Sequence, residues 1–305
     1  MGAIFDLAFL ENLLVSMIRM ATPLLLAGLG ELYSEKAGMV NIGLDGLMTI
    51  GAGVGFIVGY LTGSPVSGLA AGALAGILLN LIYAFSTISL RSGQTINGMA
   101  LNILAPALAT FLSRTFFGVK TTLMKGPTIG NLSIPGLSKL PFIGSILFSA
   151  HPMTWFALLL TILTAWFFRR TKPGLNYLAV GEYPRAAESM GINVAGVKYL
   201  SCVICGCLGG LGGAYLTTCY IGAYSEGVVA GRGFIALSAV IFGNWSAAGV
   251  LLATLLFGLA DAVQLRFQVL FRDIPYQLLS MLPYLMTIFE RLRSEERRVG
   301  KECRS

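Results

Sequence analysis

Charge is scarce in this chain. Only 11% of its 305 residues are Asp, Glu, Lys or Arg, against 55% hydrophobic, where a water-soluble globule carries about 25% charged residues. Water is therefore the wrong solvent for most of the sequence, which excludes an ordinary soluble enzyme. Histidine is almost missing as well. His151 stands alone, so there is no histidine pair for a metal and little material for nucleophilic catalysis. The five cysteines make no disulfide framework. Cys202, Cys205, Cys207 and Cys219 fall in or beside one Gly-rich apolar run, and Cys202-x-x-Cys205 has no second pair to complete a metal site. They read as small residues for helix contact. No G-x-x-x-x-G-K-[ST] loop is present, so nucleotide phosphates would have to be handled by another chain. A basic leader with a small-residue cleavage site is also lacking ahead of the first apolar run, and no cleavable signal peptide is expected.

Long apolar runs are what the chain has instead. Several reach the roughly 20 residues that cross a bilayer core. Spans are expected at about 12–30, 38–61, 66–87, 94–113, 151–168, 198–220, 233–263 and 275–290. The fold class is all-α: a polytopic transmembrane helix bundle of about 8–10 spans, counting broken or half helices. One transmembrane domain is expected over 1–293. The tail "SEERRVGKECRS" (294–305) is foreign in composition to everything before it and resembles a translated linker remnant. The net charge of +7 would point to nucleic acid in a soluble protein; here it fits Lys and Arg kept on the cytoplasmic side of a lipid bilayer. That rule places loop 169–197, with Arg169, Arg170, Lys172 and Arg185, inside, and the Gly-, Pro- and Ser-rich loop 118–150 outside. The run 233–263 is long for one helix and is interrupted at Gly243–Asn244–Trp245. Two shorter segments there also restore the parity that the later Arg291 and Arg293 require.

Glycines recur at four-residue spacing, as Gly68, Gly72 and Gly76 and as Gly209 and Gly213, stripes that let helices approach closely. The spans also hold polar residues, which are costly in lipid and face either a cavity or another helix. Asn41 and Asp45 are four apart and are expected to share one helix face, as are Gln94 and Asn97. Asn102 points about 140° away from Asn97. Arg19, Asn244, Asp261 and Gln264 complete the set. Two readings stay open for each: a hydrated substrate route, or interhelical hydrogen bonds that fix the bundle.

One polar island, "VGEYPRAAESMGINVAGVKY" (180–199), separates two apolar runs. Pro184 suits a first helical turn and Gly191 the left-handed position just beyond an end. The helix between them is about seven residues, roughly 10 Å long, with Ala186, Ala187 and Met190 as a small apolar face and Arg185 and Glu188 on a polar one. A helix so short is marginal alone and needs a partner.

Within the island, "GEYPRAAESMGI" is similar to the coupling-helix motif of ABC importer permeases in the ribose and branched-chain amino-acid superfamily, a Gly-x-Asn-x-x-Ala-Ala-x-x-x-Gly-Ile pattern. Gly181, Ala186, Ala187, Gly191 and Ile192 match; Tyr183 replaces an Asn, a better N-cap. "GELYSEKAGMVNIGLDGLMTIGA" (30–52) resembles the signature of the nucleoside and simple-sugar permeases of that superfamily, with Asp45 where Glu is common. "QTINGMALNILA" (94–105) and "GRGFIALSAVIFGNWSAAG" (231–249) look like further family blocks. The resemblance runs to about residue 293 and fits the shorter of two permeases. It implies a pore of two related permease chains, with a homodimer left open, in the bacterial cytoplasmic (inner) membrane. A cytoplasmic ABC ATPase using ATP and Mg would drive it, with no cofactor bound by this chain, and an extracytoplasmic lipoprotein would deliver substrate. Glu182, Tyr183, Pro184, Arg185, Ala186, Ala187, Glu188, Met190, Gly191 and Ile192 would then meet the ATPase. Asn41, Asp45, Gln94, Asn97, Asn102 and Asn244 would line the substrate pathway. Nucleoside is the first expected cargo, simple sugar the second and branched-chain amino acid the third. An ion-coupled secondary transporter is the alternative from another class; it would need a titrating buried carboxylate such as Asp45 or Asp261 and would leave the short helix without a purpose.

Overall fold

The computed structural model describes residues 7–118, 124–130 and 151–270. The expected span at 275–290, the 294–305 tail and most of loop 118–150 lie outside them. Ten helices follow one another in the described residues: α1 (Leu7–Lys36), α2 (Leu44–Thr62), α3 (Pro65–Ala84, continued by a wider π turn over Phe85–Ser89), α4 (Gln94–Phe117), α5 (Pro152–Arg170), α6 (Lys172–Glu182), α7 (Pro184–Ser189), α8 (Val194–Tyr215, with a π turn over Leu216–Tyr220), α9 (Arg232–Phe242) and α10 (Ala247–Leu270). Seven of them are long and apolar enough to cross a membrane, and α9 is a shorter apolar helix. The only strands described, Met124–Lys125 and Ala223–Tyr224, form a two-residue antiparallel pair.

Termini follow local chemistry. Pro65 and Pro152 sit in first turns, where a missing N–H costs nothing. His151 caps α5: its Nδ1 accepts from Met153 N, and its Nε2 lies 3.2 Å from the Ile129 carbonyl, which it bonds as donor. Burial pushes this imidazole below its ordinary range, in keeping with that neutral tautomer.

Helices α1, α2, α3 and α8 form the centre, and glycine decides how close they come. Helix α8 turns two small-residue faces to two neighbours. A Cβ added at Gly206 or Gly210 would collide with the α3 backbone at Gly76 or Gly72, while one at Gly213 would fall on the Met48 carbonyl of α2. With no side chain between them the backbones touch, which in lipid supplies the contact that hydrophobicity cannot. Cys202 and Cys205 lie in the same core. Helices α4 and α5 pack outside and leave most of their length uncovered, whereas α2 is largely buried.

Two departures from regular helix matter most. The expected second span begins at 38, but α2 starts only at Leu44. Between them Ala37–Gly43 runs as irregular chain, back into the bundle from the end of α1. Leu44 packs on Gly209, about midway along α8 and its π turn. The run 233–263 is broken as expected: α9 ends at Phe242 and α10 starts at Ala247. Asn244 and Trp245 both take left-handed backbone, φ +49°, a conformation Asn tolerates and a bulky ring resists.

Replacing Gly210 with Leu is expected to prevent α3–α8 closure and abolish the monodisperse peak in detergent size-exclusion chromatography. Gly93→Ala, whose new methyl meets only the Ile96 side chain at 3.6 Å, should elute as the parent does.

Candidate functional site

Two regions carry the polar chemistry: the end of the bundle that presents α7, and the middle depth where α2 and α9 begin. At the first, Pro184 opens α7 and Tyr183 precedes it with no side-chain cap. Gly191, at φ +80°, ends it, and its N–H reaches the Glu188 carbonyl at 2.9 Å while Ile192 N reaches that of Ala187 at 3.1 Å. The expected apolar face is split by the fold. Ala187 is buried and turned toward the body, whereas Tyr183, Ala186 and Met190 are exposed, Tyr183 at 72% and Met190 at 81%. Glu182, Arg185 and Glu188 are exposed around them, and Ile192 is half-buried.

Helix α6, read from sequence as plain loop, carries α7. Its signal was present: Thr171 caps Gly174 N at 3.1 Å and Pro173 lies in the first turn. Tyr177 packs edge-on against Tyr33, Phe167 and Phe168 at centroid distances of 6.0, 6.2 and 5.7 Å. The Lys36 ammonium sits 5.4 Å over the Phe168 ring and interacts with the charge of Glu182.

At mid-depth the Ala37–Gly43 linker has its polar backbone groups met by side chains from several helices. Ser34 Oγ donates to Met39 O at 2.7 Å, and Gln94 receives from Val40 N at 2.8 Å while donating to Gly38 O at 3.3 Å. Tyr83 donates to Val40 O at 2.8 Å. Asn41 N donates to Glu31 at 2.9 Å, and the Asn41 side chain bonds Asn80 at 2.8 Å and Gly43 N at 3.0 Å. Asn80 passes the chain on to Cys202 O at 2.6 Å, and Cys205 Sγ donates to the other Glu31 oxygen at 3.3 Å. Asn102 bridges the join, donating to Ile42 O at 2.9 Å and accepting from Gly46 N at 2.8 Å.

This geometry corrects one expectation directly. Asn41 is not on a helix and shares no helix face with Asp45; it lies in the linker, fully buried. Asp45, in the first turn of α2, instead accepts from Gly233 N of α9 at 2.9 Å, supplying from another helix the one first-turn partner that the Val229 and Gly231 carbonyls, bonded to Arg232 N and Phe234 N, do not. The Arg232 guanidinium donates to the Val228 and Val229 carbonyls at 3.1 and 3.2 Å, and its charge acts on both Asp45 and Asp261. Asn41, Asp45, Gln94 and Asn102 thus gather around the linker. Asn97 and Gln94 do not work together: Asn97 bonds Thr87 at 3.1 Å and Ser92, stapling the α3–α4 turn. Asn244 is exposed in the α9–α10 break, next to the Trp245 indole that donates to Glu35, at the α7 end. Sequence reasoning missed Glu31, Asn80, Tyr83 and Arg232. Glu31 and Arg232 stand inside the quoted blocks, and Asn80 is a lone amide in an apolar run.

A family model described as "Branched-chain amino acid transport system / permease component" matches residues 13–289. The chain belongs to this permease family. It is a membrane-spanning permease subunit of the ABC-importer type, multi-pass in the bacterial cytoplasmic membrane. Among curated relatives, the permease is 35% identical over 288 residues to the nucleoside ABC transporter permease protein NupC of Lactococcus lactis subsp. cremoris, covering 92% of this chain and 90% of the relative. It is 38% identical over 277 residues, 88% and 87% of the two chains, to the guanosine ABC transporter permease protein NupQ of Bacillus subtilis. It is also 38% identical over 265 residues, 86% and 79%, to the putative glucose ABC transporter permease protein TsgC13 of Haloferax volcanii. The same three organisms contribute second permease proteins, NupB, NupP and TsgB13, at 24–26% identity. No solved structure matches.

Asn41→Leu in the permease strands Gly43 N and the Asn80 side-chain oxygen inside the bundle, each buried polar group left unpaired costing about 1–3 kcal/mol. Thermal unfolding in detergent should show a drop of several degrees, against a small one for Asn97→Ala, whose partners are nearer the surface.

Proposed function

We propose that this chain carries nucleosides inward as one of two related permease subunits, with α7 seated on a separate cytoplasmic ATPase that hydrolyses Mg-ATP. An extracytoplasmic binding protein hands the substrate over. The observation that carries the substrate is the likeness to NupC and NupQ, named for nucleoside and guanosine, across about nine-tenths of this chain and theirs. The weaker likeness to a second permease in each of the same organisms supports a heterodimer.

Two geometric features support the division of labour. Tyr183, Ala186 and Met190 offer an apolar strip on a short, exposed helix, edged by Glu182, Arg185 and Glu188, with Pro184 and Gly191 fixing its ends and Ile192 anchoring its exit. A strip of that size suits a groove on a soluble partner. Asp45, with Asn102 beside it on Gly46 N and Arg232 opposite, makes the mid-depth stretch of the substrate route, with Gln94 further along at Gly38 and Val40, where hydroxyl and base-edge groups would find donors and acceptors. In this reading Asn41 acts behind the route as its support. Asn97 and Asn244 belong nearer the ATPase end.

A sugar cargo is the second reading, favoured by the match to TsgC13; ribose hydroxyls are chemistry common to both. Reconstituted importer in proteoliposomes should take up labelled guanosine in preference to glucose, with uptake lost on ATP removal and kept in the presence of a protonophore. Uptake that follows the proton gradient instead would mean a secondary transporter. Ala186→Arg and Met190→Arg, both on the exposed strip, should each lower ATP-driven uptake about tenfold or more while the permease still inserts and folds, since a buried unpaired charge costs several kcal/mol at an interface. Normal uptake in both would remove α7 as the seat.

A further inference from the structure

We infer that Gly181, pressed backbone-to-backbone on Lys36 and Gly38, is the bearing through which displacement of α7 reaches the α1–α2 linker and the half-helix α9. This rests on the reading of α7 as the ATPase seat and adds the route beyond it. A Cβ at Gly181 would fall on the Lys36 carbonyl oxygen and lie 3.3 Å from Gly38 N, and one at Gly38 would lie 3.3 Å from Gly181 O. Gly38 itself holds φ +77°. No side chain cushions this contact, and close-packed matter transmits displacement rather than absorbing it.

Both sides of the bearing are stiff. On one, Tyr183 alone separates α6 from α7, and α6 is pinned by Tyr177 among its aromatic neighbours. On the other, the linker is bonded at successive residues from Gly38 to Gly43. What the linker then grips is α9. Glu35, just before it, accepts from the Trp245 indole beyond the α9 C-terminus, while Asp45, just after it, accepts from Gly233 N in the first turn. The half-helix is thus held at both ends by residues that flank the linker, so a shift of the linker carries α9 as one body. Gly181 is a positioning residue in this scheme: it touches neither substrate nor ATPase.

The test uses the complete importer of both permeases, ATPase and binding protein. In Gly181→Val the ATPase should still co-purify and hydrolyse ATP, while nucleoside uptake per ATP falls about tenfold, a coupling loss of the size seen for allosteric contacts. A merely structural defect would instead lower hydrolysis and uptake together. Spin labels at Ser189 of α7 and Ser238 of α9 supply a second measurement. Their separation in otherwise unaltered permease should stay constant within about 2 Å between ATP-free and ATP-bound states, the scale of small helix shifts. Wild-type uptake per ATP in Gly181→Val, a parallel loss of hydrolysis and uptake, or a larger change in label separation would each overturn the inference. Should the valine variant fail to assemble, the label separation decides alone. Failure of the seat is distinguishable, since Ala186→Arg and Met190→Arg would then transport normally.

Discussion

Inside a bilayer an unpaired peptide group finds no water, and the Ala37–Gly43 segment lives under that constraint. Each unmet N–H or C=O there costs several kcal/mol, so irregular chain at this depth survives only if other helices supply its bonds. They do: Gln94 and Asn102 from α4, Tyr83 from α3, and Glu31 and Ser34 from α1 meet its peptide groups, while Asn80 holds the Asn41 side chain. Much of the bundle can be read as the scaffold that brings those side chains to one place. The start of α2 at mid-depth, the aim of Asp45 at α9 and the height at which α9 begins all follow from where the segment ends.

The small-residue contacts serve the same end. Gly206 and Gly210 let α8 lie on α3 backbone to backbone, and that proximity puts Cys202 and Cys205 within reach of Asn80 and Glu31. A bulkier seam would hold these groups apart and cost the amide and the carboxyl one partner each, leaving them only Asn41. Close approach and polar satisfaction are therefore one design, the first making the short distances of the second available.

The features legible in the sequence were those with a local marker. Pro184 and Gly191 announced α7, Gly243–Asn244–Trp245 announced the break before α10, and continuous apolarity announced the long helices. The linker had no such marker. "AGMVNIG" is apolar enough to pass for the start of a span, and what makes it irregular is the set of distant side chains that hold it. For that reason residue spacing alone puts Asn41 on a helix face with Asp45, where the fold does not. Helix face geometry also failed at α7, where tertiary packing turned Ala187 inward and left Tyr183 as the outward ring, a choice no 100° wheel contains. The family resemblance singles out blocks that contain these amides, but it could not say that Gln94 and Asn102 spend their hydrogen bonds on the backbone.

The partners of the linker also bear on how the chain is made. Residues 37–43 leave the ribosome before Asn80, Gln94 and Asn102 exist, and long before Cys202. During that interval only α1 can serve the segment, Glu31 meeting Asn41 N and Ser34 meeting Met39 O, and its other polar groups wait on helices not yet made. The first hairpin can thus be threaded early, yet its inner turn completes its hydrogen bonds only once α3 and α4 have arrived.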